Sequence, residues 1–260
     1  MIMKRLVFFL YGTFCYLFFL GIFLYAVGFL GNFGVPNTID GPPQISFWQA
    51  LAINTLLLGL FAVQHSVMAR QGFKRWWTRY VPQPLERSTY VLFTNIALVL
   101  MFYAWQPIGG EIWQVQSPIG QALLYGVFAA GWGLVFVATL QINHFDLFGM
   151  RQVWLYLRNQ EYTELPLTTP ALYRHVRHPL YLGWFLAFWA TPTMTVTHLV
   201  FAVTTTIYIL MAIQWEEKDL VAFHGKAYEE YRRQVPMLIP QIFKKGLRSQ
   251  KPQPVNLSAS

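Results

Sequence analysis

Long apolar runs separated by short polar ones organise this chain. The first, Leu6 to Leu30, covers about 25 residues, enough for a helix to cross a bilayer with some tilt. Further runs at about 46–68, 88–106 and 117–141 read as three more spans. Gly126, Ala129, Ala130 and Gly133 give the fourth span small-residue faces suited to close helix packing. Asn143 to His178 is a long polar stretch, inside which Val153 to Leu157 lies between Arg151 and Arg158. That composition suits a short interfacial helix or lid, or a strand-like segment. Leu180 to Ala190 is short for a span, and Thr191-Pro192-Thr193 interrupts it before Val196 to Trp215. The region is either one kinked helix or a tight helical hairpin. Glu216 to Ile239 reads as a tail helix with Leu220, Phe223, Tyr228 and Tyr231 as a rough apolar stripe, ended by Pro236 and Pro240. Residues 241–260 read as a basic disordered tail.

The composition makes these runs membrane spans rather than core helices. The chain of 260 residues is 55% hydrophobic and 12% charged, against about 25% charged in a typical soluble domain. Too few polar residues remain to cover a soluble surface. The expected fold class is all-α: a polytopic transmembrane helix bundle of five to six spans, with a C-terminal helical hairpin and a cytoplasmic tail helix. Four N-terminal spans occupy 1–141, and 142–240 forms a second, polar-rich region. The single cysteine, Cys15, excludes a disulfide framework and reads as a small buried apolar side chain. The start of the first run resembles a signal peptide, but its length and lack of an Ala-x-Ala-like site favour a retained span.

The net charge of +8 is explained by topology. Lysine and arginine fall at 4–5, 70–87, 151–177 and 218–251, and the loops 32–45 and 105–118 have none. By the positive-inside rule, the N-terminus, the polar stretch and the C-terminus face the cytoplasm of a bacterial inner membrane. No nucleic-acid partner is needed, and no protein partner is evident; the bilayer is the partner this composition requires. The same rule favours the hairpin, which returns the basic tail to the cytoplasm.

Two polar clusters sit at the ends of apolar segments: Tyr173-Arg174-His175-Val176-Arg177-His178-Pro179-Leu180-Tyr181, and Glu216-Glu217. Polar groups gathered at membrane helix ends commonly mark a polar ligand. Salt bridges at the interface, with Lys218 or Arg232 as partners, are the plain structural alternative.

Arg177-His178-Pro179-Leu180-Tyr181-Leu182-Gly183, Glu216-Glu217-x-x-Leu220, Gly225-x-x-Tyr228-x-x-Tyr231 and Val235-Pro236-x-Leu238-Ile239-Pro240 follow in order. This series resembles the signature of isoprenylcysteine carboxyl methyltransferase-like membrane enzymes, a group shared with phospholipid methyltransferases and nurim- and NnrU-like proteins. The match covers about 70 residues, Thr168 to Pro240. Gln141-Ile142-Asn143-His144-Phe145-Asp146-Leu147-Phe148-Gly149-x-Arg151-Gln152 is similar to the bacterial methanethiol S-methyltransferases of the nurim-like branch. Ala171 departs from the glycine often found ahead of the Arg-His-Pro motif.

The resemblance implies S-adenosyl-L-methionine as methyl donor and a small thiol as acceptor, giving dimethyl sulfide. A lipid or prenylcysteine acceptor in the same fold, or a non-catalytic nurim-like membrane protein, are the alternatives. The expected cofactor residues are Tyr173, Arg174, His175, Arg177, His178, Pro179, Tyr181, Gly183, Glu216 and Glu217. Arg177 suits the cofactor carboxylate through its planar fork, and the two glutamates suit its ammonium and ribose hydroxyls. Pro179 is placed to open a helix, where its missing N–H costs nothing. A thiolate attacks far better than a thiol, so His144 is the expected base, Asp146 its orienting partner and Arg151 a source of positive potential. His144, His175 and His178 could form a zinc site, but the Arg177 charge argues against a metal. His65, beside Gln64, is a supporting candidate, and His198 falls at the opposite face.

Overall fold

The structure is a computed structural model and describes residues 2–163, 165 and 168–240; the expected disordered tail lies outside the described residues. Helix α1 (Ile2–Gly31) and α2 (Phe47–Ala69) lead to the short α3 (Gln71–Trp77) and to α4 (Glu86–Ala104). Strand β1 (Glu111–Gln114), α5 (Pro118–Gln141), the single turn α6 (His144–Leu147) and α7 (Met150–Leu157) follow. The chain then forms α8 (Pro179–Trp189), β2 (Thr193–Thr195), α9 (Val196–His224) and α10 (Lys226–Gln234). Helices α1, α2, α4 with its preceding turn, α5 and α9 are long and apolar enough to cross a membrane. The protein is an all-α polytopic bundle, and the expected spans agree with its helices to within a few residues at most ends.

The ambiguous region is a hairpin. Helix α8, 11 residues long, rises only about 16 Å. The extended segment after it adds roughly 20 Å and carries the chain to the end of the bundle lacking basic residues. There β2 pairs antiparallel with β1, with Glu111 opposite Thr195 and Gln114 opposite Thr193. Pro192 accounts for the break, and Thr195 then caps α9, its side chain accepting from the His198 N–H at 3.0 Å. Helix α9 returns over 29 residues, and Glu216 and Glu217, about two turns before its end, stand level with the start of α8.

Two sequence expectations are corrected. The tail helix is not continuous from Glu216: α9 runs to His224, and Gly225, at φ 56°, turns the chain before α10 begins. Tyr228 is buried there, whereas Phe223 is 66% exposed. The small-residue contact on α5 is also not the one expected. Nothing lies within 4 Å of a side chain placed at Gly126 or Gly133, whereas Gly131 meets the α8 backbone at Gly183 and Ala187. The Val153–Leu157 segment is helical and docks on α1: Val153 is fully buried against Gly12, and Tyr156 stacks on Phe8 at 5.0 Å.

At the end without basic loops, Asp40 accepts hydrogen bonds from Asn32 Nδ2 at 2.8 Å and from the Thr195 hydroxyl, with His198 Nδ1 at 3.6 Å. Burial pushes its carboxyl up, but His198, Thr195 and Asn32 outweigh this and hold it below the usual carboxylate range. His198 is buried and donates from Nε2 to the Phe188 carbonyl at 2.9 Å. These contacts bind the first loop to the hairpin tip.

Candidate active site

The separated motifs of the C-terminal half meet at the basic end of the bundle. Proline at the first position of α8 fixes the helix start, and the backbone entering it is strapped by the tail. The Arg177 N–H donates to the Pro236 carbonyl at 2.9 Å and the His178 N–H to the Met237 carbonyl at 3.1 Å. The Tyr231 hydroxyl donates to the Tyr173 carbonyl at 2.6 Å. Residues 171–174 form a 3-10 turn whose Leu172 N–H donates to Gln141 Oε1 at 3.0 Å, tying it to the end of α5.

The ionic centre is built from Arg177, His178 and Glu217. Arg177 Nε and Nη2 both lie 2.7 Å from Glu217 Oε1, and Nη1 donates to the carbonyls of Arg232 (3.0 Å) and Val235 (2.6 Å). His178 Nε2 is 3.0 Å from the same Glu217 oxygen. The Arg177 and Glu217 side chains are only 10% and 9% exposed. Such a pair is worth keeping only when its other polar atoms are also bonded, and the two carbonyls do this for Arg177. Arg177 and Glu217, expected to grip a ligand, are therefore engaged with each other and with the tail.

Glu216 has the opposite character. Its side chain is 46% exposed, and its nearest basic group is His178 Nδ1 at 3.8 Å. Tyr173 and Tyr181 lie near enough to feel its charge. Burial first, then the Glu216 charge, pushes the Tyr173 hydroxyl well above its ordinary range. Burial and the two glutamates do the same to Tyr228, while Tyr231 is pushed up to about 12 by burial, with Arg177 opposing. The shifts favour the protonated hydroxyls, of which that of Tyr231 donates to the Tyr173 carbonyl. Arg174 is exposed, and its Nε donates to the Thr169 carbonyl at 3.1 Å; His175 beside it is exposed as well. Gly183 does not face this site: it is the packing contact with Gly131.

His144 and Asp146 are not partners. His144 is buried between the Thr139 hydroxyl, 2.8 Å from Nδ1, and the Tyr16 hydroxyl, 2.9 Å from Nε2, with Phe148, Phe136 and Phe145 around it. Burial holds its imidazole below the ordinary histidine range, so it is neutral. Asp146 turns the other way. It accepts from Arg151 Nη1 at 3.0 Å and from Tyr162 at 3.3 Å, and Arg151 also donates to the Thr163 carbonyl at 2.8 Å. The physical reason is local: Asn143, at φ 87°, caps the turn from the Asp146 N–H and rotates the aspartate away from the preceding histidine. Among the described residues, no three histidine, cysteine, aspartate or glutamate side chains come together as metal ligands.

A polar cluster that sequence reasoning saw only through His65 lies within the spans. The Tyr90 hydroxyl is 2.9 Å from His65 Nδ1 and 3.0 Å from Nε2, Thr94 Oγ1 is 3.4 Å from Nδ1, and Ser66 Oγ is 3.0 Å from the Tyr208 hydroxyl. Tyr90 and Tyr208 gave no signal because a tyrosine in an apolar run resembles any other aromatic. An apolar groove of about 530 Å³ between α1 and α5, lined by Val27, Phe33, Tyr125, Phe128, Ala129 and Trp132, contains none of these groups.

Known proteins fix the family. Methanethiol S-methyltransferase of Crocosphaera subtropica is 62% identical over 237 residues, covering 91% of this chain and 93% of the relative. The chain belongs to the methanethiol S-methyltransferase family. The methanethiol S-methyltransferase of Mycobacterium tuberculosis is 52% identical over 238 residues, covering 92% of this chain and 98% of its own. Nurim of Rattus norvegicus is 31% identical over 206 residues, covering 72% and 78%. No family model matches the chain, and no solved structure matches it. The family match spans both halves of the bundle, so the N-terminal helices carrying His65 and Tyr90 belong to the shared unit as much as the Arg-His-Pro motif does.

Proposed function

We propose that the protein is a membrane methyltransferase that uses S-adenosyl-L-methionine to convert methanethiol to dimethyl sulfide. One observation carries the cofactor half of this reading: a half-exposed carboxylate, Glu216, stands near His178, Tyr173 and Tyr181 and next to the buried Arg177–Glu217 ion pair. The family relatives' name supplies the acceptor. The cofactor-binding region is 142–240, and by the positive-inside rule the basic end that holds it faces the cytoplasm of a bacterial inner membrane.

The donor set suits a zwitterionic nucleoside. Glu216 takes the ammonium or the ribose hydroxyls, with Tyr173, Tyr181 and His178 as neighbouring donors. Arg174, an exposed residue, takes the carboxylate through a fork. Arg177 and Glu217 hold the backbone and His178 in place without touching ligand. When bound, the cofactor supplies an electrophilic methyl group on a sulfonium. The chain's remaining task is to position the thiol, strip its proton and keep water away.

Calorimetric titration of the detergent-solubilised protein with S-adenosylmethionine, alongside headspace measurement of dimethyl sulfide, tests both halves. Glu216→Gln and Arg174→Ala should each weaken cofactor affinity roughly tenfold or more, the loss of one charge-assisted contact. Absence of binding at millimolar cofactor would favour a nurim-like scaffold. Binding without dimethyl sulfide would move the acceptor to a lipid or a larger thiol.

A further inference from the structure

We propose that Tyr90 and His65 form the proton relay for the acceptor thiol, with Tyr90 touching the thiol and His65 receiving the proton. The inference rests on the methyl-transfer reading above and assigns the acceptor side of the same site.

The helix heights put this cluster in reach of the cofactor residues. Arg70, one residue past α2, is paired with Asp219 at 2.9 Å and lies over the Trp215 ring at 5.3 Å. His65, five residues earlier, is thus about 7 Å nearer the bilayer centre than that pair. Tyr181, three residues inside α8 from His178, lies about 5 Å nearer the bilayer centre than the level of Glu217. The Ser66–Tyr208 hydrogen bond joins α2 to α9 at that depth. The Tyr181 hydroxyl feels both the Tyr208 and the Tyr90 hydroxyls. Tyr208 and Tyr90 are thus the hydroxyls of the His65 cluster nearest to Tyr181, which itself neighbours Glu216.

The hydrogen bonding is compatible with a relay from Tyr90 to His65. Thr94 spends its proton on the Tyr90 carbonyl at 3.0 Å, so its oxygen can only accept from His65 Nδ1. With Nδ1–H directed at Thr94, Nε2 is unprotonated and can accept from the Tyr90 hydroxyl 3.0 Å away, which also lies 2.9 Å from Nδ1. Phe61 stacks on the His65 ring at 5.2 Å and holds its plane, and the Arg87 guanidinium lies 5.4 Å from the Tyr90 ring. His144 is bonded in the same way, with Thr139 on Nδ1 and Tyr16 on Nε2, but that pair joins α1 to the end of α5 rather than α2 to α4. Polar and ionisable side chains inside a span, such as this histidine–tyrosine pair, commonly mark a functional site.

The step balances as follows. The thiol S–H bond breaks as the Tyr90 oxygen takes the proton, while the Tyr90 hydroxyl proton passes to His65 Nε2. The freed sulfur pair forms the new bond to the methyl group, and the bond between methyl and sulfonium breaks with its pair left on the donor sulfur. The imidazolium then releases its proton to water at the basic end.

The test compares Tyr90→Phe and His65→Gln with the unaltered protein, using methanethiol and methaneselenol as acceptors. The selenol has the same shape but is already ionised in neutral water, so it needs no relay. Both variants should bind S-adenosylmethionine with unchanged affinity and lose roughly 10²-fold in methanethiol turnover, the low end of general-base effects. Their methaneselenol turnover should fall less than about tenfold. With S-adenosylhomocysteine bound, carbon-13-labelled methanethiol should show a thiolate resonance on the unaltered protein and a thiol resonance on both variants. Retained methanethiol turnover in either variant, equal losses on both acceptors, or a thiolate resonance that survives would overturn the relay. Failure of the unaltered protein to make dimethyl sulfide with cofactor bound would instead overturn the underlying reading.

Discussion

Gly131 on α5 and Gly183 on α8 approach so closely that a Cβ on either would come within 2.8 Å of the other's carbonyl oxygen. Helix α8 is too short to span the membrane alone, so this backbone contact sets its depth and rotation. Both follow through to His178 and Tyr181 at its first turn. Gly183→Ala should therefore destabilise the protein by about 1–3 kcal/mol, the range for overpacking a closed contact. It should also weaken cofactor binding, although Gly183 touches no ligand. Thermal unfolding in detergent and calorimetry are the measurements. Wild-type values in both would mean that α8 is held by other contacts.

Arg177 acts on the tail rather than on a ligand. Its guanidinium links Glu217 to the Arg232 and Val235 carbonyls. Arg177→Ala leaves Glu217 buried with only His178 and a distant Arg232, a break that costs roughly 3–5 kcal/mol. Arg177→Lys keeps the charge but loses the fork and should recover only part of that stability. Limited proteolysis should show faster cleavage between 225 and 240 in both variants. If Arg177→Lys lost only cofactor affinity, with a tail as resistant as wild type, the guanidinium would have to serve the ligand directly.

The spans were legible because each of them is an apolar run of a length that only a membrane helix explains, and the loop charges ordered them. The hairpin was legible for the same reason, since Thr191-Pro192-Thr193 breaks the run and the basic tail needs a return crossing. The Gly131–Gly183 contact was not, because Gly126, Gly131 and Gly133 share one helix and nothing local says which faces protein and which faces lipid. The motif residues converged as their order implied, but the division of labour within Glu216-Glu217 depends on which side of α9 meets Arg177. Only the packed helix decides that. The His144–Asp146 pairing failed on one residue, Asn143, whose left-handed backbone turns the aspartate toward Arg151.

Asp146, Arg151 and Tyr162 form a clip over 146–163 that closes the polar segment onto α7. The Asp146 and Arg151 side chains are each 20% exposed, so the pair is partly screened and contributes on the order of 1 kcal/mol or less to global stability. Its effect should be local. Asp146→Asn should leave the unfolding temperature nearly unchanged while raising hydrogen exchange across 150–163. A fall of several kcal/mol in global stability would show that the clip is part of the core.

His144 makes stability depend on pH in one direction. Burial lowers its folded value below the ordinary 6.5, so in the window between the two values the unfolded chain binds the proton more readily. Stability therefore rises with pH through that window, is fully present above about 6.5 and is lost progressively as pH falls below it. Protonation would also disturb one of its two hydroxyl contacts, since an imidazolium donates from both nitrogens and neither Tyr16 nor Thr139 could then donate to it. His144→Gln retains a donor and an acceptor but cannot titrate. Unfolding temperatures measured at pH 5 and pH 7.5 should differ more for the wild type than for His144→Gln, with the wild type losing at the acid end. Cofactor affinity at pH 7.5 should be the same in both, because His144 joins α1 to the end of α5 rather than facing Glu216. An equal acid loss in the two proteins would assign the sensitivity to another group.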